Sequence, residues 1–203
     1  MFVKVCGITR AVDAQAAVAF GASAIGFIFW PGSPRFIEPE AARAIVKTLP
    51  PFVTPVGVFV DEPVDRVNAV ADMAGLGVVQ LHGDEQPAML DRIHRPVVKA
   101  LGRVDAGTAA RWPDRVMLLV DADDRFRRGG TSAKADWEAA AALAAVRPVL
   151  LAGGITPANV AEAVRIVGPF GIDVSSGVED APGIKNVDRI RDLFEALRGL
   201  ARR

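Results

Sequence analysis

Short apolar runs alternate with amphipathic stretches along the whole chain. Eight runs have the length and residue types of β-strands, at residues 2–6, 24–29, 55–60, 78–82, 97–101, 116–121, 148–152 and 171–175. The stretches that follow them predict helices at about 13–20, 39–49, 63–74, 85–93, 105–111, 136–146, 157–167 and 186–200. A unit of one strand and one helix therefore recurs roughly every 20–30 residues.

This alternation predicts an α/β fold with a parallel sheet. Strands that are apolar throughout are typical of a sheet covered on both faces, and strand–helix–strand crossovers are right-handed. Eight such units in 203 residues fit a single (β/α)8 TIM barrel, with residues 1–203 as one domain. An open doubly wound sheet is the alternative, but no GxGxxG motif follows the first strand.

Residues 16–32 carry no charge and approach the length of a membrane span. Much of this segment is Ala, Gly and Ser, and Gly21 stands where a helix would end. We therefore expect a helix, a turn and a strand here, and no membrane association.

Charge and cysteine content exclude several classes of protein. Lys plus Arg and Asp plus Glu both number 24, and the basic residues are scattered, which argues against a nucleic-acid-binding surface. The single cysteine allows no intramolecular disulfide, and no Cys/His cluster has the spacing of zinc ligands, so no metal is expected. The first residues lack the pattern of a signal peptide, so a cytoplasmic protein is expected.

Active sites of such barrels lie at the carboxyl ends of the strands. Cys6 ends the first run and is a candidate base or nucleophile if its pKa is lowered. Asp121 closes the apolar sixth run and is a candidate general acid. Arg35, in a stiff Pro- and Gly-containing loop, suits a carboxylate or a phosphate. His82 and Lys99 are further polar residues at strand positions, and Lys99 is interpreted as a charge inside the barrel that is paired with a carboxylate.

The seventh and eighth runs end in segments typical of a phosphate site. Gly153 and Gly154 allow backbone N–H groups to approach a ligand, and Thr156 followed by Pro157 resembles a helix start with free N–H groups. After the eighth run, hydroxyls and a second accessible backbone come from Ser175, Ser176 and Gly177. Loops at these two positions bind phosphate in many (β/α)8 barrels.

Several motifs, in this order and spacing, closely resemble the phosphoribosylanthranilate isomerase family of tryptophan biosynthesis. They are KVCGIT at 4–9, GFIFWPGSPR at 26–35, VGVFV at 56–60, VQLHG at 79–83, LLVD at 118–121, GGT…DW at 129–137, LAGGITPANV at 151–160 and DVSSGVEDAPGIK at 173–185. The resemblance implies a single barrel without a cofactor, monomeric or homodimeric. It also implies the Amadori rearrangement of N-(5-phosphoribosyl)anthranilate, a small phosphorylated molecule, to 1-(2-carboxyphenylamino)-1-deoxyribulose 5-phosphate.

The resemblance also implies roles for individual residues. Cys6 would be the general base, Asp121 the general acid, and Arg35 the group that holds the anthranilate carboxylate. The phosphate would bind at Gly153, Gly154, Ser175, Ser176 and Gly177, and the further substrate-binding residues would be Asp173 and His82.

One segment departs from the family pattern. Ser132 replaces a glycine and Ala135 an aromatic residue in the loop after the sixth run, which bears on the use of this loop as a mobile lid. Two other functions stay open at this point: a non-catalytic phosphate-binding barrel, and a different sugar-phosphate barrel enzyme such as an epimerase or a synthase.

Overall fold

The computed structural model describes residues 1–102, 106–121 and 136–200. Eight parallel strands form a closed barrel in chain order: β1 (Phe2–Val5), β2 (Ala24–Ile28), β3 (Thr54–Phe59), β4 (Val78–Leu81), β5 (Val97–Leu101), β6 (Met117–Val120), β7 (Val149–Leu151) and β8 (Gly171–Val174). Each predicted strand differs from the observed one by no more than one residue at either end. The prediction of a (β/α)8 barrel is confirmed.

Helices follow the strands around the outside of the barrel. They are α1 (Ala11–Phe20), α2 (Pro39–Val46), α3 (Val64–Ala74), α4 (Ala106–Ala110), α5 (Trp137–Ala144), α6 (Val160–Val167) and α7 (Val187–Arg198). After β8 the chain forms a 3₁₀ turn at Ser176–Val178 and an antiparallel hairpin of β9 (Glu179–Ala181) and β10 (Ile184–Lys185) before it enters α7.

One predicted helix has a different form. The segment predicted as a helix at 85–93 is a 3₁₀ helix at Pro87–Arg92. Pro87 opens the turn, and Pro96 disfavours helical backbone at the residue before it, so only a short segment is left between the loop and β5. Tight 3₁₀ turns are the usual form of such short connections.

The uncharged segment 16–32 forms a helix, a turn and a strand, as expected. Helix α1 ends at Gly21, whose φ of 116° is left-handed and whose N–H donates to the carbonyls of Ala17 and Val18. Strand β2 then begins at Ala24. Within the described ranges, none of the helices combines the length and the apolar character needed to cross a membrane.

Alternation along each strand separates the barrel interior from the outer core. The interior cluster contains Val98 and Ala100 of β5 together with Leu119, Leu150 and Ala152. The intervening residues of the strands pack against the helices in the larger cluster. Inward-pointing side chains at the carboxyl ends of the strands therefore define the mouth of the barrel.

Lys99 lies on the outer side of the barrel, so the interpretation of an interior charge is wrong. Because Val98 and Ala100 point inward, the residue between them points outward. The Lys99 ammonium donates to Glu85 Oε2 and to the Gly83 carbonyl, both at 2.6 Å, and lies 5.5 Å from the centre of the Trp112 ring. The expected pairing of Lys99 with a carboxylate is confirmed, and this buried pair holds the loop after β4.

Candidate active site

The two candidate catalytic residues lie at the same end of the barrel. Cys6 directly follows β1 and its N–H donates to the Val174 carbonyl at 2.8 Å. Asp121 directly follows β6 and its N–H donates to the Leu101 carbonyl at 3.0 Å. Since β7 and β8 lie between β6 and β1, the two side chains stand apart on the rim of one mouth. A substrate in the mouth has an acid and a base on different sides.

A buried ion pair lies directly beneath Cys6. Lys4, two residues earlier on β1, donates to both carboxylate oxygens of Asp173 at 2.9 Å. Gly26 on β2 leaves the space that these groups fill: a Cβ there would lie 2.7 Å from Cys6 Sγ and 3.1 Å from Lys4 Cε. The sulfur therefore shares a small volume with a lysine side chain. Lys4 could have been found from the sequence, because it lies two residues before Cys6 in an apolar strand and alternate residues of a strand face the same side.

Burial raises the pKa of the Cys6 thiol above its ordinary value. The nearby Lys4 lowers it, Asp173 raises it further and Lys185 lowers it, but desolvation dominates. Cys6 was expected to act as a base if its pKa were lowered. This condition is not met in the free protein. Near neutral pH the thiol form predominates, and the smaller thiolate fraction is a correspondingly stronger base.

Asp121 contacts a histidine across the rim. His82 Nε2 lies 3.3 Å from Asp121 Oδ2, and His82 Nδ1 lies 3.0 Å from Gln80 Nε2. Gln80 on β4 is fully buried, and His82 follows two residues later on the same inward-pointing side. The structure thus brings His82 into contact with the candidate acid, where it can fix the orientation of the carboxyl group.

Arg35 lies in the loop after β2 but is not solvated. It is 6% exposed, and its Nε and Nη2 donate to the carboxylate of Glu179 at 2.7–3.1 Å. The same carboxylate accepts from Lys185 Nζ at 2.6 Å. Sequence reasoning missed Glu179 and Lys185, since neither follows a barrel strand directly and both are distant from Arg35 in the chain.

The loops after β7 and β8 pack closely against each other. Gly153 and Gly154 have left-handed φ angles of 74° and 65°, which favour glycine. A Cβ at Gly177 would lie 1.9 Å from the Ile155 carbonyl oxygen, so a glycine is required there too. In the described part of the chain, the N–H groups of Gly153, Gly154, Ser176 and Gly177 donate no hydrogen bond. These two adjoining loops thus present four N–H groups without an internal acceptor, which is the arrangement expected of an anion site.

Thr156 does not provide the free N–H group that was expected. Its N–H donates to Asn159 Oδ1 at 2.8 Å, and a turn over 157–159 separates it from the start of α6 at Val160. The Asn159 side-chain amide also donates to the Gly154 carbonyl at 2.8 Å. Asn159 therefore orders the glycine loop, and Thr156 is excluded from the anion site.

Part of the predicted site lies outside the described residues. The loop residues Ser132 and Ala135 belong to this part of the chain, and so do Asp123 and Asp124, which follow the sixth predicted strand and are expected to be solvated and without a catalytic role. Among residues 1–102, 106–121 and 136–200, no group of three or more His, Cys, Asp or Glu side chains is placed to hold a metal ion.

Comparisons with known proteins identify the family of the chain. The family model "N-(5'phosphoribosyl)anthranilate (PRA) isomerase" matches residues 3–196. The N-(5'-phosphoribosyl)anthranilate isomerase of Geotalea uraniireducens (strain Rf4) is 45% identical over 200 residues, which cover 98% of each chain.

Two solved structures superpose over nearly the whole chain. A phosphoribosyl anthranilate isomerase in complex with reduced 1-(o-carboxyphenylamino)-1-deoxyribulose 5-phosphate gives a TM-score of 0.86 at 38% identity, covering 98% of this chain and 99% of that chain. Monomers generated from the dimeric enzyme of Thermotoga maritima give a TM-score of 0.86 at 36% identity, with the same coverage. The chain therefore belongs to the N-(5'-phosphoribosyl)anthranilate isomerase family.

Proposed function

We propose that this protein catalyses the Amadori rearrangement of N-(5-phosphoribosyl)anthranilate to 1-(2-carboxyphenylamino)-1-deoxyribulose 5-phosphate in tryptophan biosynthesis. The observation that carries the proposal is the arrangement of the mouth in a chain of this family. Cys6 and Asp121 stand on different sides of the rim, and four unpaired N–H groups lie at the loops after β7 and β8. The mouth thus offers a base, an acid and an anion site to one sugar phosphate.

The phosphate binds at the N–H groups of Gly153, Gly154, Ser176 and Gly177, with the Ser175 and Ser176 hydroxyls beside them. Backbone N–H groups arranged in this way suit a phosphate, whose oxygens accept several hydrogen bonds at once. Binding there fixes one end of the substrate, so that the sugar carbons reach across the mouth toward Cys6 and Asp121.

The reaction needs one acid and one base. Asp121 donates a proton to the ring oxygen of the ribose, the bond between C1′ and that oxygen breaks, and the nitrogen lone pair forms the C1′=N bond of a Schiff base. The Cys6 thiolate removes the proton from C2′; the C–H electron pair forms C1′=C2′, and the C=N electron pair returns to nitrogen. The enolamine then loses its C2′ hydroxyl proton and gains a proton at C1′, which gives the ketone.

Arg35, Asp173 and His82 bind the rest of the substrate. The guanidinium of Arg35 still has Nη1 free of hydrogen bonds to the described residues, and this edge suits the anthranilate carboxylate. Asp173, held by Lys4, and His82, beside Asp121, bind the sugar hydroxyls between these two ends of the substrate.

Growth without tryptophan tests this proposal. A bacterial strain that lacks its own phosphoribosylanthranilate isomerase should grow without tryptophan when it expresses this chain, and should not grow when it expresses the Cys6→Ser variant. A non-catalytic phosphate-binding barrel would rescue neither strain, although the protein would accumulate in both. Failure of the wild-type chain to rescue growth, with the protein present and folded, contradicts the proposed activity.

The chain also has a surface that suits a homodimer, and we propose that it forms one. Phe52, between α2 and β3 at the amino end of the barrel, is fully exposed and has a left-handed φ of 72°. Both features are unfavourable for an isolated phenylalanine. A related protein from Thermotoga maritima is described as dimeric, which favours a second copy as the occupant.

Size-exclusion chromatography coupled to light scattering tests whether the protein is a homodimer. The wild type should elute with the mass of two chains, and Phe52→Gly, which retains the left-handed backbone, should shift to the mass of one. Val12→Ser, at an exposed apolar residue in the first turn of α1 near the carboxyl end of the barrel, should leave the mass unchanged. A monomeric wild type, or a dimeric Phe52→Gly variant, contradicts the proposal.

A further inference from the structure

The hairpin of β9 and β10 brings two charged side chains beneath the loop that carries Arg35. Its tip is fixed to the first loop of the barrel, because Thr9 Oγ1 donates to the Gly183 carbonyl at 2.6 Å. Its last residue is fixed to α1, because the Lys185 N–H donates to Asp13 Oδ2 at 3.1 Å. The hairpin is therefore held from two sides before it meets Arg35.

Glu179 occupies one edge of the Arg35 guanidinium. Nε donates to both carboxylate oxygens at 3.0 and 3.1 Å, and Nη2 donates to Oε2 at 2.7 Å. This fork fixes the plane and direction of the guanidinium, and the edge with Nη1 is the one left for a ligand. A Cβ at Gly7 would lie 2.6 Å from Arg35 Cδ and 3.0 Å from Ser175 Oγ, so Arg35 lies directly beside the mouth.

Glu179 itself has no freedom to turn. Its Oε1 accepts from Lys185 Nζ at 2.6 Å and from the Gly183 N–H at 3.2 Å, and both Arg35 and Lys185 are more than nine-tenths buried. The three charged groups carry one positive charge more than negative. This buried cluster therefore suits one further anionic group, and the free edge of Arg35 is where that group can bind.

We propose that Glu179 is a positioning residue that directs Arg35 toward the carboxylate of the substrate, with Lys185 holding Glu179 in place. The inference rests on the proposed function, in which Arg35 binds the anthranilate carboxylate. Glu179 acts only through Arg35. Its loss should therefore weaken recognition of the anthranilate half of the substrate and leave recognition of the phosphate half intact.

A double-mutant cycle measured by calorimetry tests the inference. The probes are reduced 1-(o-carboxyphenylamino)-1-deoxyribulose 5-phosphate and inorganic phosphate, and the variants are Arg35→Met, Glu179→Gln and the two combined. Each single variant should weaken binding of the reduced product analogue about tenfold or more. The double variant should bind less than about twofold more weakly than either single variant. Binding of inorganic phosphate should stay within about twofold of the wild type, a result that a general structural defect would not give.

A second variant distinguishes an effect on the orientation of Arg35 from an effect on the net charge of the cluster. Glu179→Gln combined with Lys185→Met keeps the net charge of the wild type and leaves no buried ammonium without its partner. If Glu179 positions Arg35, this variant still binds the analogue about tenfold more weakly. Wild-type affinity in this variant overturns the inference, because charge alone would then suffice. Asp72→Asn, which breaks an exposed ion pair with Arg95, is the matched control and should bind both probes normally.

The outcomes also distinguish this inference from the proposed function. The binding assay needs no turnover, so an inactive wild type that shows the predicted cycle contradicts the activity and supports the role of Glu179. An Arg35→Met variant that binds the analogue normally contradicts the assignment of Arg35 and with it this inference. Weak binding in Arg35→Met with normal binding in Glu179→Gln overturns the role of Glu179 alone. In turnover assays, Glu179→Gln should raise KM more than it lowers kcat.

Discussion

A thiol at the rim of this barrel is a base only after it has lost a proton, and burial opposes that loss. Lys4 lies beside Cys6 but is itself bound by Asp173 through two hydrogen bonds, so that much of its charge is compensated. Burial lowers the pKa of Lys4, but Asp173 and Cys6 outweigh this effect and raise it, and the ammonium stays charged. The surroundings of Cys6 thus make its thiolate a strong base, but only a small fraction of Cys6 is in the thiolate form near neutral pH.

We predict that the Cys6 thiol loses its proton only above the ordinary thiol pKa of 9.0, because burial raises its pKa. The chain has one cysteine and no tyrosine, so the ultraviolet absorbance of the thiolate can be followed against the Cys6→Ser variant. This absorbance should rise in the alkaline range with a midpoint above pH 9.0. A midpoint below pH 9.0 would contradict the effect of burial on Cys6.

Replacing Cys6 by serine should keep the fold and lower kcat by a factor of about 10² or more, because a hydroxyl is a far weaker base near neutral pH. Gly26→Ala, which places a methyl group 2.7 Å from Cys6 Sγ so that the sulfur must move, should also lower kcat without removing any charged group. A Cys6→Ser variant that turns over within threefold or so of the wild type would show that the base is another group.

Asp121→Asn should lower kcat by a factor of about 10² or more, because an amide keeps the shape of the side chain but cannot donate a carboxylic proton. Its contact with His82 places Asp121 at the rim, where a ring oxygen can reach it. Asp123→Asn and Asp124→Asn are the matched controls from the same segment and should retain most of the activity. If Asp123→Asn were the inactive variant instead, the general acid would be Asp123 and its assignment to Asp121 would be wrong.

Among the structural elements, the two loops of the proposed anion site depend on each other. Gly177 sits against the Ile155 carbonyl, so the loop after β8 can approach the loop after β7 only without a side chain at this position. The 3₁₀ turn at Ser176–Val178 leaves the N–H groups of Ser176 and Gly177 without an acceptor in the described part of the chain, as is usual at a helix start. The proposed site needs both loops in contact.

We predict that Gly177→Ala raises KM by about tenfold or more and weakens inhibition by inorganic phosphate in parallel, because the two loops must separate to admit the methyl group. Gly168→Ala is the matched control. It lies at the end of α6 with φ of 60°, and no atom lies within 4 Å of the position that an added methyl group would take. It should lower the free energy of unfolding by about 1–2 kcal/mol and leave phosphate inhibition unchanged. Normal inhibition in Gly177→Ala would place the phosphate elsewhere.

For the whole molecule, the sequence pattern was sufficient for the barrel and insufficient for its buried charges. Strands covered on both faces appear as continuous apolar runs, so their ends could be located to within one residue. The ion pairs could not be located, because Lys4 and Asp173 are 169 residues apart and Arg35 and Glu179 are 144 apart, and only the closed barrel brings them together. Lys99 was placed on the wrong side because an apolar run does not show which alternate residues point inward.

The same limit applies to the candidate site. Cys6, Asp121 and the glycine loops were predictable because they end strands, and strand ends converge at one rim. Glu179 and Lys185 contact the Arg35 cluster and Asn159 contacts the glycine loop after β7, and these contacts are visible only in the fold. The supporting groups are therefore the part of the site that most needs the structure.

The most direct test of the account is turnover of freshly prepared N-(5-phosphoribosyl)anthranilate by the purified protein, followed by its fluorescence. We predict enzyme-dependent conversion, without any added cofactor, to a product of unchanged mass with a ketone at C2′, identified by NMR. The same assay should show conversion largely lost in Cys6→Ser and in Asp121→Asn. Binding of the substrate without conversion by the wild type, or full conversion by both variants, would contradict acid–base catalysis by this pair.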